Sequence, residues 1–139
     1  MTNTTHPKHK WARLALFIGD LVALIMFVYV GQRDHGTISA ANPVRGLLLA
    51  SWEFALLWVV IGWPLEAFPP FKKWTPRLLI TRPLLTWLIA APLGLLLRSF
   101  VLARLNIPTL FLAATLGFGL IFLFAWRLFA VLVWKITTR

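Results

Sequence analysis

Four long apolar runs, at about residues 12–30, 43–63, 76–103 and 107–134, alternate with short stretches that gather charges, prolines and polar residues. A helix needs roughly 20 apolar residues to cross the hydrocarbon core of a bilayer. Each run has that length, so the pattern predicts an all-α, polytopic membrane protein with four transmembrane helices. Residues 14–134 form the membrane domain, with residues 1–13 and 135–139 as tails. Three runs open on start signals: Asn42-Pro43, Thr75-Pro76 and Asn106-Ile-Pro108, each a polar cap ahead of a proline at or near the first helical position. The first run is expected to break at Gly31. Pro83 and Pro92 fall inside the third, where Pro92 should kink the helix.

Composition agrees. Of 139 residues, 60% are hydrophobic and 13% charged, about half the charge of an ordinary soluble domain. Four spans use about 80 residues and leave no room for a soluble domain. Eight tryptophans suit the membrane interface. The first run follows Lys8, Lys10 and Arg13 as a signal peptide would. It nevertheless contains Asp20, and the small-residue stretch Ser39-Ala40-Ala41 lies too far beyond it, so a retained helix is expected.

The net charge of +10 would suggest nucleic acid in a soluble protein. Here the cations flank apolar runs, which points to topology and anionic lipid headgroups, and nucleic acid is set aside. With the N-terminus inside, the cytoplasmic cations are Lys8, Lys10, Arg13, Lys72, Lys73, Arg77, Arg82, Lys135 and Arg139, against Arg33, Arg45, Arg98 and Arg104 outside. Nine against four favours both termini in the cytoplasm, in a multi-pass protein of the plasma membrane. Trp11, Trp63, Trp74 and Trp134 would then form a belt at the inner face. The chain has no cysteine, which excludes disulfides and thiol chemistry.

Three ionisable groups lie within the runs: Asp20, Glu53 and Arg127. Each costs roughly 2.5–3.5 kcal/mol to insert, so each calls for a partner or a task. Asp20 sits about 9 Å from the inner face and Glu53 about 10 Å from the outer face, at 1.5 Å per residue. Arg127 shares the leaflet of Asp20, and an intramembrane ion pair between the first and fourth helices is expected. It reads first as a clasp and second as a proton or ion relay. On the outer side, Arg33, His35, Glu53 and Arg98 form a candidate polar cluster, with the two arginines and the histidine suited to an anion. The pairs Gly46/Ala50, Ala90/Gly94 and Ala113/Gly117 have the four-residue spacing that permits close helix packing. No histidine lies within a run, so haem ligation by histidine is not supported, and no cofactor or metal is expected. Ser51 and Ser99 have no histidine near them in sequence, and an enzyme is not expected.

In their order, Asp20, Gly31-Gln-Arg33-Asp-His35, Ser51-Trp52-Glu53-Phe54, Gly94-Leu-Leu-Leu-Arg98 and Trp126-Arg127 resemble the bacterial and archaeal membrane family known as domain of unknown function 3054. The resemblance covers about residues 14 to 134. It implies a four-helix membrane protein and brings no activity with it. The family pattern has Trp-Pro-Phe where this chain has Trp52-Glu53-Phe54, so Glu53 departs from it, while Asp20, Arg33, His35, Arg98 and Arg127 sit on motif positions. Two functions compete. The first is an accessory or structural subunit in a larger membrane assembly. The second is a small oligomeric transporter or channel using Asp20, Arg127 and Glu53.

Overall fold

A computed structural model describes residues 7–103 and 106–138, with side chains from residue 11 onward. Its helices are α1 (Pro7–Asp34), α2 (Pro43–Gly62), α3 (Pro76–Val101) and α4 (Thr109–Thr137), with a single 3-10 turn at Phe71–Lys73. All four are long and apolar enough to cross a membrane, and there is no strand among the described residues.

Local chemistry explains most boundaries. The Asn42 side chain accepts from the Arg45 amide at 3.0 Å, and Thr75 accepts from the Leu78 amide at 3.2 Å, each followed by proline at the first helical position. Several boundaries differ from the sequence reading, the first being the start of α1, at Pro7 rather than near residue 12. Gly31 does not end α1, which continues to Asp34, because one glycine costs a helix only about 1 kcal/mol. Asn106 does not cap α4: the N-cap is Pro108, with no side-chain hydrogen bond, and α4 runs on to Thr137. α3 continues through both Pro83 and Pro92.

The helices form a four-cornered bundle in which α1 packs on α2 and α4, and α3 packs on α2 and α4. Its centre is an aromatic column. Phe27, Phe54, Trp58, Phe68 and Trp87 meet with ring centroids 5.7–6.4 Å apart, mostly edge to face. Glycine makes room for these rings. A Cβ on Gly119 would overlap the Trp87 indole, one on Gly19 would overlap Trp126, and one on Gly94 would stand 2.8 Å from Phe54. Gly117, by contrast, faces open space, so the Ala113/Gly117 pair is not the packing surface of α4.

The outer surface carries large apolar side chains, among them Leu48, Leu56, Val60, Phe118, Ile121 and Phe129, as a lipid-facing surface requires. Trp11 and Trp63 are exposed near one end of the bundle. Trp74 and Trp134 instead pack on each other at 5.8 Å, half-buried beside Leu16, Leu79 and Val131. The connection between α2 and α3 turns inward: Ala67, Phe68 and Pro69 are buried.

Candidate functional site

On α1 the buried positions include Leu16, Asp20, Ala23, Leu24 and Val28, a stripe at three- and four-residue spacing that faces the bundle. On α4 the buried positions are Thr115, Gly119, Leu123, Arg127 and Val131, each four residues from the last. Asp20 and Arg127 therefore meet across the α1–α4 seam with their side chains 0% and 1% exposed. Arg127 Nε donates to Asp20 Oδ1 at 2.7 Å, and Nη2 donates to Oδ2, a two-pronged carboxylate–guanidinium contact.

The guanidinium does more than pair. Nη2 also donates to the Ala67 carbonyl at 2.8 Å, and Nη1 donates to the Leu79 carbonyl at 3.4 Å. Leu79 lies four residues before Pro83, which has no amide hydrogen to give it, so the proline leaves that carbonyl free for Arg127. Ala67 is offered by the inward turn of the α2–α3 connection, its own amide held by the Gly62 carbonyl at 2.8 Å. The indoles of Trp58 and Trp126 stand beside the carboxylate. Trp126 Nε1 donates to the Leu16 carbonyl at 3.4 Å, while Trp58 Nε1 finds no partner among the described residues. All three guanidinium nitrogens and both carboxylate oxygens are engaged. Such a pair offsets the desolvation of its charges only because both carboxylate oxygens and most of the guanidinium are answered, the 3.4 Å contact of Nη1 being the long one.

The second arrangement lies between α2 and α3. Arg98 Nη1 donates to Glu53 Oε1 and to the Ala50 carbonyl, both at 3.4 Å, which is long for either bond. Glu53 is 1% exposed and Arg98 29%. Glu53 Oε2 is buried with no hydrogen-bond partner among the described residues. The outer cluster of four is not assembled among the described residues: Arg33 and His35 are exposed where α1 runs out past Gly31, and no hydrogen bond or ion pair there joins them to Glu53 or Arg98. Arg104 lies outside the described residues. No group of three or more His, Cys, Asp or Glu side chains could hold a metal ion among the described residues.

Sequence reasoning missed the backbone half of the Arg127 site, Ala67 and Leu79. Pro83 was the available signal, since a proline inside a span frees the carbonyl one turn before it.

The architecture defines a class: a bundle of four helices, each long and apolar enough to cross a membrane, joined by a buried ion pair. Within that class the chain belongs to the family described as protein of unknown function (DUF3054), whose model matches residues 17–130. That span takes in Asp20, Arg33, His35, Glu53, Arg98 and Arg127. No curated protein and no solved structure matches the chain.

Proposed function

We propose that this protein is a non-enzymatic accessory subunit that packs, through its apolar helix faces, against another protein of the plasma membrane. The engagement of Arg127 carries this reading. A relay residue must release one partner to take another, whereas here the guanidinium ties Asp20 to two carbonyls from different elements. The interior beside it is filled with aromatic rings. Binding capacity is left to the outer faces. The topology belonging to this reading has both termini and residues 64–75 in the cytoplasm, on the bias of nine cations against four.

The second reading, an oligomeric transporter, draws on one observation: the buried Glu53 Oε2 without a partner among the described residues. Cross-linking in native membranes followed by mass measurement separates the two. The accessory reading expects a hetero-assembly of defined mass. A homo-oligomer that also conducts ions or protons in reconstituted vesicles overturns it. Orientation is tested by single cysteines at Ser39 and Pro70 with an impermeant thiol reagent on intact cells. Labelling is expected at Ser39→Cys alone, and the reverse pattern refutes the topology.

A further inference from the structure

The outer wall of the α1–α4 seam is not flat. A groove of about 620 Å³ runs along it, with Ala15, Gly19 and Ala23 among the α1 residues on one side and Phe122 and Trp126 of α4 on the other. We propose that this groove binds one anionic phospholipid, an acyl chain lying along α1 from Ala15 to Met26 and the headgroup resting at the basic end of the bundle. The proposal is independent of whether the protein joins a larger assembly.

Three observations carry it. The first is chemical. The only hydrogen-bonding side chain in the lining is Trp126, and its Nε1 is already given to the Leu16 carbonyl. The occupant must therefore be apolar along its length. The notch at Gly19, which would let a second helix approach closely, is filled by the Trp126 ring of the same chain.

The second is length. From Ala15 to Met26 a helix rises about 16 Å, and one leaflet of the hydrocarbon core is about 15 Å deep. The register of the groove continues outward to Trp11, which is 68% exposed, as an indole at the membrane interface is. The groove is thus one acyl chain deep, starting from the interface.

The third is charge. The groove opens toward the end of the bundle that carries Arg13, Lys72, Lys73, Arg77, Arg82 and Lys135. Glu66 is the acid in the connection at that end, and Lys73 holds it at 3.0 Å. Lys72, Arg77, Arg82 and Lys135 at that end have no ion-pair partner among the described residues, and such cations at headgroup depth select an anionic headgroup over a zwitterionic one.

The test is native mass spectrometry of delipidated protein titrated with phosphatidylglycerol or with phosphatidylcholine of the same acyl chains. Wild type should keep one phosphatidylglycerol through gas-phase activation and lose phosphatidylcholine. Val22→Trp, at an exposed groove position, should lose that adduct, while Val60→Trp, at an exposed position on α2, should keep it. Should Val22→Trp fail to fold, judged by its melting temperature, Ala15→Leu replaces it. Equal retention of the two lipids, equal behaviour of the two tryptophan variants, or a second protein chain bound in place of lipid would each overturn the proposal.

Discussion

Arg127 holds Asp20 through Nε and Nη2 while Nη2 and Nη1 also donate to the carbonyls of Ala67 and Leu79, so one guanidinium joins α1, α3, α4 and the α2–α3 connection. This relationship makes the two partners unequal. Removing Asp20 leaves a buried cation that still has two carbonyl acceptors. Removing Arg127 leaves a buried carboxylate and strips both carbonyls of their donor.

Breaking a buried pair from one side typically costs about 3–5 kcal/mol. Both Asp20→Leu and Arg127→Leu should lower the melting temperature in detergent, and Arg127→Leu should do so more. The double Leu variant should recover most of the loss, but not all, because Ala67 and Leu79 remain unanswered. Losses that simply add in the double variant would show that the two residues do not act as a pair.

Two glycines two residues apart on α4 should behave oppositely. A methyl at Gly119 runs into the Trp87 ring, which is buried and held by the Leu116 carbonyl at 3.2 Å, so neither side yields easily. Gly119→Ala should lose about 1–3 kcal/mol by overpacking. Gly117 meets nothing within 4 Å, and Gly117→Ala should gain about 0.5–1 kcal/mol from helix propensity. Thermal melts of the two variants in the same detergent provide the comparison.

The Gly117/Gly119 contrast also shows where the sequence was readable. Four runs of spanning length and the Asn42 and Thr75 caps could be read directly, because length and capping are local properties. The Asp20–Arg127 pairing followed from the rarity of charge at one depth. Which face of α4 points inward did not follow from small residues, since apolar side chains cover all sides of that helix. Arg127 itself marked the face: counting back in fours reaches Leu123, Gly119 and Thr115, all buried. The Ala67 contact had no comparable sign. A backbone acceptor has no letter of its own, and nothing local dictates that residues 67–69 turn into the bundle. Nothing local in the sequence told whether Arg33 and His35 would reach Arg98; both are exposed, and no hydrogen bond or ion pair joins them to it among the described residues.

Glu66 supplies a pH dependence outside the spans. The hydrogen bond from Lys73, together with its charge, holds the Glu66 carboxyl below its ordinary value of 4.5. A depressed carboxyl contributes stability above its unfolded value and loses it as pH falls through the folded one. The difference in melting temperature between wild type and Glu66→Gln should therefore be small, since both partners are exposed, constant near neutral pH, and vanishing as pH drops below about 4.5. A difference that grows in acid would contradict the pairing.

Glu53 and Arg98 form the looser pair, and their exposure sets which loss matters. Glu53 is buried with one oxygen unanswered among the described residues, while Arg98 is 29% exposed and its stem can carry the guanidinium toward the headgroup region. Arg98→Leu leaves a carboxylate in the seam with no cation, a loss of about 1–3 kcal/mol, the penalty for an unsatisfied buried group. Glu53→Leu removes the awkward group itself and frees Arg98 to turn outward, so it should change stability by less than about 1 kcal/mol. Melting curves of both variants in detergent should show that order. If Glu53→Leu proves as damaging as Arg98→Leu, then Oε2 is answered by something beyond the described residues. Repeating the comparison in native membranes, where an assembly partner is present, would then show whether the missing donor comes from that partner.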